Sequence, residues 1–327
     1  MASDDNVIFI DSQLYIDLFR TDSGKDLLAL LEEQRDHIFI TEQIVNEVNR
    51  HKLSEAKLFF QRDCQIGNAP GCKLPNHLFD DSGVIVQRIR DILKVASGKV
   101  KEANNELEKA IAATLQRISL SEDVVSTALA PLFAKAVVYE AEEFERAKIR
   151  NARGIPPGKK VGAVGDELNW EQFISFVKRN GKRKLWIISR DSDYCLTYGK
   201  QSFLVPTLHE ELKGLSDPPP EVRVFTNIPD GIKDFSEATG TRASKLPSPE
   251  KIEEIKKEQD SLPPLGWSPV YSNSPQASTS PSSVYLLLNS APPGGGVLLG
   301  EDTQITLVNN PGTITLTSGT LGTGTRK

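Results

Sequence analysis

Four consecutive apolar residues, Val7-Ile8-Phe9-Ile10, running straight into Asp11, constrain the fold more than any other feature of the chain. A strand with one wet face alternates apolar and polar residues, and this one does not. It therefore suits a parallel sheet covered by helices on both faces. The pattern then repeats as strand, helix, strand, helix to about residue 60: VIFI, LYIDLF through LLALLEE, HIFI, and EQIVNEVNRHKL. Such alternation predicts right-handed crossovers.

From about 83 to 118 apolar residues from Ile85 to Ile118 recur at steps of three and four, which predicts a long amphipathic helix. A second helical stretch starts at the Ser121-Glu122-Asp123 cap signal and is expected to kink or break at Pro131. Together they predict a helical insert over about 83–150. The α/β pattern returns with GDELNWEQFISFVKRNGK and the strands LWIIS, SFLVP and VRVFTNI. The expected fold is thus a three-layer, Rossmann-like α/β domain over residues 1–235. Residues 236–327 read as linker and tail: a charged helix candidate, SPEKIEEIKKEQDSL, precedes 261–300, which are rich in Ser, Pro and Gly and contain no Asp, Glu, Lys or Arg. A Thr-rich alternation around Pro311-Gly312 predicts a small hairpin near 303–318.

The 38% hydrophobic content is low for a chain of 327 residues and agrees with an unpacked tail. Net charge is −5, so the chain is not a globally basic nucleic-acid binder, and any such surface must be local. Three cysteines make no disulfide framework and predict reduced thiols in a cytoplasmic setting. Zinc held by Cys64, Cys72 and His77 would lack both the usual spacing and a fourth ligand. MASDDN is no signal peptide, and no apolar run is long enough to span a bilayer, so a soluble protein is expected.

Acids recur at equivalent places. Asp11 and Asp191 close strands, Asp166 opens a helix after Gly165, and Glu47 flanks the apolar face of the helix after the second strand. Each has a structural explanation as a cap or turn residue. In a parallel sheet, however, these places converge on the carboxyl edge, where α/β folds bind ligands. Gathered carboxylates repel one another, and a hard divalent ion such as Mg2+ or Mn2+ relieves that repulsion.

The ordered series FIDSQLYIDLF, ITEQIVNEVNR, GDELNWEQF and IISRDSDY resembles the PIN domain, a fold of metal-dependent ribonucleases. GIPPGKK ahead of GDELNW is similar to PIN-like proteins with a long helical insert. The resemblance spans about residues 6–228. It implies that Asp11, Glu47, Asp166 and Asp191 hold Mg2+ or Mn2+, with Asp193 as a fifth acid and Ser12 and Ser189 as supporting hydroxyls. Gln13 departs from the Asn often found there. The implied activity is endoribonucleolytic hydrolysis of RNA phosphodiesters, in a toxin or defence nuclease restrained by an inhibitory protein partner. The alternative is a catalytically silent PIN-like scaffold that binds RNA or a protein.

An RNA backbone requires local positive charge, which Arg146, Lys148, Arg150, Arg153, Lys159 and Lys160 supply without an intervening acid. A second basic run, Lys178 to Lys184, equally reads as a helix C-terminus offset by cations. Tyr194 and Trp170 are candidates for base stacking, although Trp170 also falls on the core stripe of its helix. A haloacid-dehalogenase-like phosphatase would need an Asp where Gln13 stands. A topoisomerase-primase site leaves Asp11 and Asp166 unexplained. No phosphate-binding glycine loop follows a strand, so no nucleotide cofactor is indicated.

Overall fold

A computed structural model describes residues 5–64, 78, 83–94, 100–158, 164–263 and 265, together with two strands at 305–309 and 312–316. Strands β1 (Asn6–Ile10), β2 (Ile38–Phe39), β3 (Lys184–Ile188) and β6 (Glu221–Phe225) form one sheet in the order β2-β1-β3-β6. All three pairings are parallel, with Phe9 opposite Phe39 and Ile187, and Ile187 opposite Val224. The two central strands bury every residue from Val7 to Ile10 and from Leu185 to Ile188, as uninterrupted apolar runs require.

Helices follow the strands: α1 (Ser12–Asp17), α2 (Lys25–Gln34) and α3 (Glu42–Asp63) come first. The helical insert consists of α4 (Val84–Lys94), α5 (Val100–Leu120), α6 (Val124–Phe133) and α7 (Ala141–Arg153). The expected long helix is thus seen as two. Val86 and Ile89 face inward on α4, whereas Ile85 on the expected stripe is exposed. Helix α6 begins where Asp123 accepts the Ser126 N–H, and it runs two residues past Pro131 before ending. Pro131 therefore sits near the end of the helix rather than at a break.

The segment SFLVP does not join the main sheet. Strand β5 (Gln201–Leu204) pairs antiparallel with β4 (Cys195–Tyr198), a two-stranded hairpin beyond the sheet's carboxyl edge. Helices α8 (Gly165–Asn180), α9 (Pro206–Lys213) and α10 (Ile228–Thr239) complete the layers. Gly231 lets α10 approach the sheet, since a Cβ there would fall 2.4 Å from Ile188 Cδ1.

The domain does not stop at residue 235. The chain divides into units Met1–Leu265 and Gly266–Lys327, and helix α11 (Pro249–Asp260) belongs to the first. This is the charged helix candidate, and it packs by one side: Ile252, Ile255 and Gln259 are buried. Arg20 donates to Asp17, to Glu55 and to the Pro263 carbonyl, while Arg190 holds Asp17 and the Gln259 carbonyl. Within the second unit, β7 (Ile305–Asn309) and β8 (Gly312–Leu316) pair antiparallel as the expected hairpin.

Removing α11 would leave Arg20 and Arg190 short of acceptors in a buried ion-pair network, a costly arrangement. The chain ended after residue 235 is therefore expected to melt several degrees lower than the chain ended after Leu265, as measured by differential scanning calorimetry. Equal melting temperatures would contradict the clamp.

Candidate active site at the carboxyl edge of the sheet

The parallel ladder continues one residue beyond β1. The Asp11 N–H donates to the Ile188 carbonyl at 3.0 Å, which sets Asp11 beside the chain leaving β3. Asp11 occupies the N-cap position of α1, yet its side chain makes no capping hydrogen bond, and the nearby Gln13 N–H gives only weak help. It accepts instead from Ser189 Oγ at 2.8 Å and, more loosely, from Ser12 Oγ at 3.4 Å. The Ser189 hydroxyl in turn accepts the Asp191 N–H at 3.0 Å. Asp191 Oδ1 accepts the Asp193 N–H at 2.8 Å, so Asp191 also performs a turn residue's work.

Glu47 reaches the site from α3. Thr41 caps that helix by accepting the Ile44 N–H, and its own hydroxyl donates to Asn169 Oδ1 on α8. Ile44 and Val48 are buried, which directs Glu47 along the flank of the helix toward α8. The contact is close: a Cβ on Gly165 would stand 2.3 Å from Glu47 Oε1. Gln43 Nε2 donates to the same oxygen at 3.1 Å, and Arg50 lies 3.9 Å from it. Glu47 thus abuts the residue immediately before Asp166.

Electrostatics tie the four acids together. Burial pushes Asp11 up to about 6; the Ser189 hydrogen bond opposes this, and repulsion from Asp191 and then Glu47 adds to it. Asp166 rises further, to about 8, through burial followed by repulsion from Asp11, Glu47 and Asp191. Buried Glu167, which sequence reading had passed over, repels Asp166 as well. Its place is fixed by Asn151 Nδ2 at 2.7 Å and by Gly158, whose φ of +124° and missing Cβ let the backbone lie against the Glu167 carboxylate. That contact gives the Pro-Pro-Gly segment a packing role.

Among the described residues, no three His, Cys, Asp or Glu side chains already form a group that could hold a metal ion. By chemistry the donors still fit a hard divalent cation: all are carboxylates, and a cation would relieve the burial and repulsion that raise Asp11 and Asp166. Tyr194, fully buried, donates to the Asp166 carbonyl at 3.3 Å and packs near Phe9 and Trp170. Neither Tyr194 nor Trp170 is open to a nucleobase, since both are in the core. Burial and the neighbouring acids raise the Tyr194 hydroxyl, and burial first pushes the Cys195 thiol up to about 11.

The family model for the PIN domain matches residues 8–194, more than half of the chain and the span that carries all these acids. The protein belongs to the PIN domain family. No curated protein and no solved structure matches it. PIN domains are generally nucleases and typically use divalent metals. In this PIN domain the matched span ends one residue before the β4–β5 hairpin.

The proposed RNA-binding cluster is divided by the fold. Arg150 is buried and grips Glu171, Glu211 and the Pro156 carbonyl, so it builds the interior rather than meeting a substrate. Arg146 is half-exposed and paired with Glu171 and Ser175. Lys148 pairs with Glu145 and lies over the Phe144 ring, and Arg153 is exposed. Lys159 and Lys160 lie outside the described residues, as do Cys72 and His77.

Two outcomes follow from this geometry. Asp11 and Asp166 bind protons more tightly folded than unfolded. Their contribution to stability is therefore complete below the unfolded carboxylate range and is lost as pH rises through about 6 and 8. Metal-free protein should lose melting temperature from about pH 5 to 8.5, and Asp166→Asn should flatten that slope; an unchanged slope would contradict the repulsion. In Gly165→Ala the added methyl displaces the flexible end of Glu47, so Mn2+ affinity measured by titration calorimetry should fall about tenfold with little loss of stability.

Proposed function

We propose that the protein is a metal-dependent endoribonuclease that hydrolyses RNA phosphodiester bonds at the carboxyl edge of its sheet. The observation that supports this best is the gathering of Asp11, Glu47, Asp166 and Asp191 near enough to repel one another, which adds to burial in raising Asp11 and Asp166. These four would hold Mg2+ or Mn2+, with Asp193 as a possible fifth. When bound, the ion supplies Lewis acidity that activates water and offsets charge building on the phosphoryl group.

The chain's own groups prepare that step. Ser189 holds Asp11 by one oxygen and, through the Asp191 N–H, fixes the turn carrying Asp191. Gln43 orients Glu47. Tyr194 fixes the backbone of Asp166 and keeps water from the inner side of the site. Exposed Lys148 and Arg153 remain as contacts for an RNA backbone.

Such an activity suits a cytoplasmic toxin or defence nuclease kept in check by an inhibitory protein partner. The buried thiol of Cys195 agrees with a reducing compartment. No helix among the described residues is long and apolar enough to cross a membrane. One observation favours a second reading, a silent scaffold that binds RNA or protein: no metal-holding group is preformed among the described residues.

Cleavage of labelled RNA with Mn2+ separates the two. Wild-type protein is expected to cut, while Asp11→Asn and Asp166→Asn, folded by circular dichroism, should each lose at least about a hundredfold in rate. Binding without cleavage by the wild type would establish the scaffold instead.

A further inference from the structure

The β4–β5 hairpin presents three large apolar side chains to solvent on one face. Leu196 is 61% exposed, Tyr198 86% and Phe203 52%. Their common face follows from register: Leu196 is paired with Phe203, and Tyr198 lies two residues along the same strand. On the opposite face, the pair Thr197–Ser202 lines a polar cleft that Arg190 and Lys256 share. Core packing therefore does not explain the outer rings.

The hairpin is fixed to the acid site at both ends. Tyr194 N–H and Cys195 N–H both donate to the Asp191 carbonyl at 3.0 Å, and the Val205 N–H donates to the Tyr194 carbonyl at 2.9 Å. Its exposed face thus stands on the same turn that carries Asp191. Charge points the same way. From Tyr194 to His209 there is no Asp or Glu, and Lys200 sits exposed between the two strands. An RNA strand repelled by clustered carboxylates meets here an acid-free, singly positive surface bearing two rings.

We propose that Tyr198 and Phe203 form a stacking platform for unpaired nucleobases of an RNA strand whose backbone passes the acid site. The proposal rests on the nuclease reading above. Aromatic faces accept any base, so the platform would select single-stranded over duplex RNA without selecting sequence. A protein partner is the less favoured occupant: three side chains expose only a few hundred Å2, against about 800 Å2 per partner in a stable interface.

The test uses the full chain, with EDTA present, and fluorescence anisotropy on a labelled single-stranded oligoadenylate and an abasic strand of equal length. Tyr198→Ala and Phe203→Ala should each weaken binding of the oligoadenylate about 5- to 100-fold. Both should leave the abasic strand unaffected, and Tyr198→Trp should restore affinity. Unchanged affinity in the double variant, or equal losses on both strands, overturns the platform. If that variant instead shifts sedimentation from self-associated to monomeric with RNA binding intact, the face is a protein interface and the platform is likewise overturned. Mn2+-dependent cleavage by the wild type, run in parallel, separates the outcomes: cutting with an indifferent double variant sinks the platform alone, whereas a wild type that neither cuts nor binds RNA sinks both readings.

Discussion

Repulsion between gathered carboxylates, of which Asp11 is buried, is the constraint around which the rest of this domain is arranged. Like charges in a poorly solvated place would normally drift apart or be replaced. Here they are held by packed elements: a central parallel pair, β1 and β3, and two helices joined to each other through Thr41 and Asn169. Apolar burial across β1, β3 and the rings of Phe9, Phe173 and Trp170 supplies the rigidity. The folded protein tolerates an unfavourable site because its scaffold is otherwise strongly favourable, a usual relation between function and stability.

Much of the sheet was legible from sequence because its central strands carry a signal with one physical meaning. Apolar runs without alternation, as in Val7–Ile10 and Leu185–Ile188, fit a buried parallel sheet and little else. SFLVP misled because a short apolar stretch does not reveal its pairing partner; Cys195–Tyr198 lies close in sequence and pairs with it as a hairpin. Helix α11 was legible as a charged helix, but its docking was not: the spacing of Ile252, Ile255 and Gln259 places a narrow stripe against the domain.

The acids themselves were legible as positions, not as a geometry. Strand ends and helix starts can be read from a sequence, and the family match covers the same stations. What could not be read was the Ser189 hydrogen bond that keeps Asp11 below Asp166, or the way Gly165 admits Glu47. The basic cluster shows the opposite lesson. Six cations in a row suggested one surface, but helical periodicity turns Arg150 inward to Glu171 and Glu211 while Arg153 faces out. Alternation of contacts along a helix divides any linear charge run between interior and solvent.

The joint between Glu47 and Gly165 bears on how this domain could change over evolutionary time. The two residues lie on either side of the inserted helices in sequence, and they meet so closely that a methyl group on Gly165 would displace the Glu47 carboxylate. The chain between them in sequence is therefore a loop closed by that contact. A segment closed at its base adds little entropic cost as it lengthens, so a lineage could enlarge, trim or recast that excursion, and with it the surroundings that reach the site, while the acids stayed where they are.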